Sequence, residues 1–114
     1  MLGKNRERIS IIAAILEAAN SGSTRTRIMF RANLSFSLLE KYLNISVNAG
    51  FVSVEGSVYK LTLRGQEYLR QYKIFEERYI RAQKLLEALD NERELLSQSC
   101  EQSNMLRAVK PVVG

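Results

Sequence analysis

The side chains that perform most enzyme and metal chemistry are scarce in this sequence. Its 114 residues include one cysteine and no histidine, and Asp90 is the only aspartate. A zinc site needs several His or Cys ligands, and a Ser-His-Asp or Cys-His nucleophile needs an imidazole. The glutamates are spread along predicted helices, and the sequence has no glycine-rich phosphate loop. We therefore expect a protein that is not an enzyme and that uses no metal and no cofactor.

The cysteine content and the hydropathy indicate a compartment. Cys100 has no second cysteine to pair with, so a packed core must hold the fold, which suits a reducing environment. No segment approaches the apolar length that spans a bilayer, and residues 1–8 lead into an amphipathic segment instead of a signal peptide. We expect a cytoplasmic protein.

Positive charge is the chemical feature that stands out, and it is unevenly distributed. The net charge is +5, and residues 1–65 contain 9 Lys or Arg against 4 Glu, whereas residues 66–114 contain 8 basic and 8 acidic residues. A basic half attracts nucleic acid, an anionic membrane surface or an acidic protein. A membrane role is the weaker interpretation, because the last predicted helix has balanced charge and no basic face opposite its apolar side.

The elements that must position these charges follow from apolar periodicity and from turn residues. Residues 5–20 have apolar side chains at helical spacing and predict a first helix. Thr24 is expected to cap a second, short helix that ends at Ala32, and Ser35 to cap a third. Gly50 is expected to end that third helix.

Two alternating, β-branched runs follow the third predicted helix. Residues 51–54 and 57–61 flank Glu55-Gly56, and this pattern predicts a β-hairpin. Three helices, a tight turn between the second and third, and a hairpin form a winged helix-turn-helix, whose third helix enters a major groove. The predicted fold is therefore mainly α, and the alternative is a small helical bundle with an incidental hairpin.

The basic cluster falls in the first half of this helix-turn-helix, where side chains commonly contact phosphate, although a solvated surface is the alternative. Residues off the apolar stripe of the third helix are placed to reach base edges. Lys60 on the wing is placed to touch the DNA backbone or the minor groove, and the alternative is a short wing that only braces the fold. Glu40 would repel phosphate unless it pairs with Lys41 or Arg31 or accepts a hydrogen bond from a cytosine amino group. The residues expected at the DNA are Arg25, Arg27, Arg31, Ser35, Phe36, Ser37, Glu40, Lys41, Asn44 and Lys60.

A long helix is expected from Thr62 onward, because no proline interrupts the sequence before Pro111. It would contain about 40 residues and measure roughly 60 Å. Its apolar residues alternate three and four apart, which is typical of a coiled coil, and so long a seam needs a partner helix. An antiparallel homodimer sets large residues against smaller ones, whereas a parallel one would bring the two copies of Cys100 together. The residues of the expected interface are Tyr68, Tyr72, Phe75, Tyr79, Ala82, Leu86, Leu89, Arg93 and Leu96.

The sequence resembles the archaeal winged-helix proteins typified by the 10a family of small chromatin-type DNA binders. The similarity lies in TRTRIMFRANLS (residues 24–35), LLEKYL (38–43), GF (50–51) and YKLTLRG (59–65). The resemblance implies non-enzymatic DNA binding and an antiparallel coiled-coil dimer. The third helix of this sequence has fewer basic residues than is common in that family, which predicts a lower affinity for DNA. Because Lys41 is the only basic residue among those placed to reach base edges, we also expect weak sequence preference.

We therefore expect three regions: a DNA-binding domain over residues 1–62, a dimerisation helix over 63–105 and a flexible tail over 106–114. The expected function is that of a homodimeric, nucleoid-associated or transcription-regulating protein that binds double-stranded DNA. The alternative is a protein-interaction module whose coiled coil recruits a different chain.

Overall fold

A computed structural model describes the backbone of residues 2–109 and the side chains of residues 8–102. Within that range the chain forms four helices and three strands. The helices are α1 (Leu2–Ala18), α2 (Arg25–Ala32), α3 (Phe36–Asn48) and α4 (Leu63–Val109), and the strands are β1 (Ser23–Thr24), β2 (Val52–Glu55) and β3 (Val58–Leu61). The predicted arrangement of three helices, a wing and a long last helix is confirmed.

The chain divides into two compact units, Met1–Phe75 and Glu76–Gly114. The first unit contains the three short helices, the sheet and the first turns of α4, and the described part of the second unit is a helix. The division expected after residue 62 stays a prediction. The tail expected over 106–114 begins inside α4, and residues 110–114 lie outside the part of the chain that the structure describes.

Local hydrogen bonds explain where α2 and α3 begin and end. Thr24 Oγ1 accepts the Arg27 N–H at 3.3 Å, and Ser35 Oγ accepts the Leu38 N–H at 3.3 Å, so both residues are the N-caps that the sequence predicts. The expected end of α3 is also confirmed, because Gly50 follows its last turn with a φ of +81°.

The wing belongs to a three-stranded antiparallel sheet with the order β1-β3-β2. Ser23 lies opposite Tyr59 on one side of β3, and Val54 lies opposite the same tyrosine on the other side. The sequence predicted only the hairpin. A two-residue strand is too short to show an alternating pattern, and Thr24 was recognised only as a cap.

The core of the first unit lies where α1, α2 and α3 meet the sheet and the first turns of α4. Burial of a large aliphatic side chain contributes about 1.5–3 kcal/mol to the free energy of unfolding. The fully enclosed apolar side chains come from all three short helices, so each helix is held by its inward face. They are Ile15, Leu16, Ile28, Leu39 and Leu43.

The first turn of α4 packs tightly against the end of α3 and the wing. Thr62 Oγ1 accepts the Gly65 N–H at 3.0 Å and donates to the Gly50 carbonyl at 2.6 Å. Gly65 is buried, and a Cβ at this position would overlap the carbonyl oxygen of Phe51 and the side chain of Leu61. The close approach of the two backbones therefore depends on glycine.

Two tyrosines of the predicted coiled-coil seam pack within their own domain. The Tyr68 ring lies against Phe51 with 4.5 Å between centroids, and the Tyr72 hydroxyl is 3.0 Å from Ser10 Oγ. Both tyrosines are partly buried against the core, and this burial raises the pKa of Tyr68 above its ordinary value. The heptad pattern assigned them to a dimer interface and did not predict this intrachain packing.

Candidate nucleic-acid interface

The outward face of α2 carries two exposed arginines. Arg27 and Arg31 lie one turn apart on the same side of the helix, and both are exposed. Their position is fixed from inside, because Ile28 is fully buried in the core. Among the residues that the structure describes, no carboxylate lies within ion-pair distance of either guanidinium.

Arg25 differs from the other two arginines of α2. Its Nη2 lies 2.9 Å from Oε1 of Glu40, so it forms an ion pair between the start of α2 and the middle of α3. The partners suggested for Glu40 by the sequence, Lys41 and Arg31, are therefore wrong. Arg25 Nε is buried without a hydrogen-bond acceptor among the described residues, whereas the Arg25 side chain as a whole is 39% exposed.

The structure brings the other side chains expected to read bases onto the outer side of α3. Phe36, Ser37, Lys41 and Asn44 are exposed, and Glu40 is half-exposed among them. Leu39 and Leu43 anchor the opposite side of the helix in the core. Ser35 is exposed as expected, but its hydroxyl serves as the N-cap of α3.

Two exposed phenylalanines flank the turn between α2 and α3. Phe36, which is among the residues expected at the DNA, is 62% exposed, and Phe30, which is not among them, is 76% exposed. Phe30 lies in the last turn of α2 beside Arg31. The available signal was that Phe30 falls outside the inward positions Ile28 and Met29 of a helix of only eight residues.

The wing contributes Lys60, which is exposed on β3 opposite Ser53. Arg64, one residue into α4, is also basic but has a structural part. Its Nε donates to the Ala49 carbonyl at 2.8 Å, and its guanidinium lies 5.7 Å from the Phe51 ring centroid. Arg64 therefore holds the end of α3 in place.

The basic residues of α2, α3 and the wing differ from those of α4 in how many form ion pairs. The exposed Arg27, Arg31, Lys41 and Lys60 lack a carboxylate partner in the described part of the chain, whereas several cations of α4 have one. Those pairs are Arg70 with Glu67, Lys73 with Glu17, Arg81 with Glu77 and Arg93 with Asp90. Four exposed cations without an ion-pair partner among the described residues thus lie on the helix-turn-helix and the wing.

Neither a metal site nor a membrane-spanning helix is found among the described residues. No group of three or more Cys, Asp or Glu side chains there is arranged to hold a metal ion. No helix in that part of the chain has both the length and the apolar character to cross a membrane.

Comparison with known proteins agrees with this geometry. The sequence pattern of the winged helix-turn-helix family matches residues 5–79. The uncharacterized protein MJ0287 of Methanocaldococcus jannaschii is 32% identical over 73 residues, which are 62% of this chain and 75% of that protein.

The fold is also similar to that of Sso10a-2, a DNA-binding protein from Sulfolobus solfataricus. The two structures align with a TM-score of 0.55 and 20% identity, over 86% of this chain and 93% of the other. The resemblance to archaeal winged-helix proteins seen in the sequence is thereby confirmed. The chain belongs to the winged helix-turn-helix family.

Proposed function

We propose that this protein binds double-stranded DNA as a homodimer and acts on the nucleoid, as an architectural protein or a transcription regulator. The observation that carries the proposal is the pair of exposed, unneutralised arginines Arg27 and Arg31 on the helix that precedes α3. The family assignment supports it, as does the description of the structural neighbour Sso10a-2 as a DNA-binding protein. Such a protein resides in the cytoplasm with the DNA.

Phosphate contact is the part that Arg27 and Arg31 fit best. A guanidinium without a carboxylate partner is available to bind a phosphate, and each such contact releases counterions from DNA. Lys60 on the wing adds a third cation for the backbone. Because these contacts carry no sequence information, they would supply affinity for any duplex.

The third helix fits the part of the groove-entering element. Its exposed side, from Phe36 to Asn44, combines an aromatic ring, hydroxyl and amide groups, and one basic residue, Lys41. Because α3 has a single cation, it would add little to the affinity for DNA of any sequence. Its contacts would mainly determine which base pairs the protein prefers.

The second unit supports the proposed dimer. All described side chains from Arg81 to Gln102 are exposed, including Leu86, Leu89 and Leu96. An apolar stripe of this length in water favours association with a second helix. An antiparallel homodimer places Phe75 opposite Arg93 and Tyr79 opposite Leu89, as a pairing centred near residue 84 requires.

The first experiment measures binding of the full chain to a mixed-sequence duplex across a salt series, with the mass in solution determined in parallel. We expect a dimer whose binding constant falls steeply with salt, with a slope of about −0.9 for each phosphate neutralised. Absence of binding at low salt would contradict DNA binding. Together with mixed association through α4, that result would support the alternative of a protein-interaction module.

Cys100 tests the orientation of the two helices, because it is exposed on α4. In an antiparallel pair the two thiols lie far apart, so mild oxidation of the native dimer should leave it without an intermolecular disulfide. Rapid formation of a disulfide-linked dimer, absent in Cys100→Ser, would contradict the antiparallel arrangement, because a disulfide requires the two Cα atoms to lie within about 7 Å.

A further inference from the structure

We propose that Glu40 determines base specificity by accepting a hydrogen bond from the exocyclic amino group of a cytosine, and that Arg25 is the positioning residue that holds its carboxylate. This inference rests on the proposed function, since it requires α3 to lie in a major groove. It names one base pair that the protein reads and the side chain that reads it.

The ion pair fixes one carboxylate oxygen and leaves the other available. Arg25 Nη2 lies 2.9 Å from Glu40 Oε1, and within the described residues this is the only ion pair or hydrogen bond of the Glu40 side chain. Arg25 Nε is buried, while the side chains of Arg25 and Glu40 are 39% and 38% exposed. Glu40 Oε2 is therefore an acceptor without a partner among the described residues, on a side chain that solvent reaches.

Glu40 stands in the middle of the surface that would meet the bases. It lies one turn after the exposed Phe36 and one turn before the exposed Asn44, which places the three side chains in a row along α3. Lys41 is the only cation on this helix, so α3 itself has no net charge. A carboxylate in this row is repelled by phosphates, and a contact with a base must offset that repulsion.

The chemistry of the base edges identifies the partner. In the major groove, guanine presents two acceptors and thymine presents an acceptor and a methyl group, so both reject a carboxylate. Adenine has an amino donor, but its N7 acceptor lies beside it. Cytosine presents its amino donor with no acceptor on the same base edge, and it is the base that glutamate accepts from in protein–DNA complexes.

The charge of Arg25 adds a second effect. Paired with Glu40, it offsets the negative charge that this side chain brings toward the DNA, and the ion pair favours the orientation in which Oε1 faces Arg25. A glutamate side chain that moves freely before binding loses rotamer freedom when it contacts a base, and this loss makes the contact with the right base less favourable. The difference in binding free energy between the right and the wrong base pair is then smaller.

The experiment selects bound duplexes from a random-sequence pool with the wild-type protein and with Glu40→Gln. We expect the wild type to enrich a motif with a C·G pair at one position. Glu40→Gln should replace it there by an A·T pair, because a glutamine amide matches the adenine N6 and N7 atoms. Thermal unfolding of both proteins checks that the variant is folded.

A modified base tests the hydrogen bond itself. N4-methylcytosine at the enriched position removes the major-groove donor, and we expect wild-type binding to weaken roughly tenfold, in the range that a good base contact provides. The same modification at a cytosine outside the motif is the matched control and should leave binding unchanged. Equal effects of the two modified duplexes would overturn the proposal.

Arg25→Gln separates positioning from phosphate contact. We expect it to reduce the preference for the C·G pair while the salt slope stays unchanged, whereas loss of a phosphate contact would reduce the slope by about one. If Arg25→Gln does not fold, Arg25→Lys should show the same loss of preference, since lysine keeps the charge without the planar fork.

The possible failures are distinguishable. If the wild type binds DNA but enriches no motif, or if Glu40→Gln strengthens binding to all duplexes equally, the specificity role of Glu40 is overturned and DNA binding stands. If the wild type binds no duplex at low salt, the proposed function fails and this inference fails with it.

Discussion

The two helices of the helix-turn-helix, α2 and α3, begin in the same way and are anchored in the same way. Each starts after a hydroxyl residue, Thr24 or Ser35, that accepts the N–H three residues later. Each is anchored by fully buried aliphatic side chains, Ile28 in α2 and Leu39 with Leu43 in α3. The two helices are therefore equivalent in how they are capped and packed against the core.

Their outer surfaces differ. α2 presents two arginines without a carboxylate partner among the described residues, whereas α3 presents one acidic residue, one basic residue and several neutral groups. Under the proposed function, this difference would assign affinity and base preference to separate helices. The charges that would bind every duplex alike would then lie outside the helix that distinguishes one base pair from another.

The largest expected effect tests the equivalence inside. Ile28→Ala and Leu39→Ala should each lower the free energy of unfolding by about 2–5 kcal/mol, because both side chains are fully buried and leave a cavity. Urea denaturation followed by circular dichroism measures both. A large loss in one variant and none in the other would show that the two helices are not anchored alike.

The next effect tests the difference outside. Replacement of both Arg27 and Arg31 by alanine should reduce the salt slope by about two and weaken binding by roughly one to two orders of magnitude, equally for all sequences. Fluorescence anisotropy with several duplexes measures this. Arg70→Ala is the matched control, since that arginine is paired with Glu67 on the exposed side of α4; an equal loss there would refute a specific role for α2.

The caps provide a smaller test of the shared design. Thr24→Ala and Ser35→Ala should each cost about 1 kcal/mol of stability, because each removes the acceptor for one N–H at the start of a helix. Thr26→Ala, at an exposed position of α2 that makes no cap, should change stability by less than about 0.5 kcal/mol. Unequal losses of stability in Thr24→Ala and Ser35→Ala would show that the two helices are not capped alike.

The smallest effect in affinity concerns α3. Lys41→Ala should weaken binding only a few-fold but change the order of preference among duplexes, because under the proposed function Lys41 stands among the side chains that would face the bases. Lys60→Ala removes the same charge from the wing and should weaken binding to all duplexes equally. A uniform loss for both lysines would mean that α3 does not read bases.

Much of the fold was predictable because its signals are local. The caps at Thr24 and Ser35 and the glycine at position 50 act within a few residues of the helix ends that they define. The alternation around Glu55-Gly56 likewise revealed the hairpin. In each case a pattern readable in one short segment was sufficient.

The features that escaped prediction join distant parts of the chain. The strand at Ser23 exists only because Tyr59 lies beside it, and the partner of Arg25 lies on the next helix. Tyr68 fits a heptad pattern, but that pattern does not distinguish a neighbouring chain from Phe51 of the same domain. The candidate site was therefore predicted as a set of positions, but the ion pair between Arg25 and Glu40 was not predicted.

Gly65 and Gly50 restrict amino-acid substitution for different reasons. At Gly50 the backbone has a positive φ, which asparagine also adopts at modest cost, whereas at Gly65 the obstacle is the volume of a single methyl group beside the Phe51 carbonyl. Every other amino acid begins with a Cβ, so no substitution, however small or polar, can be accommodated without separating the two backbones. At this site the genetic code offers one usable amino acid.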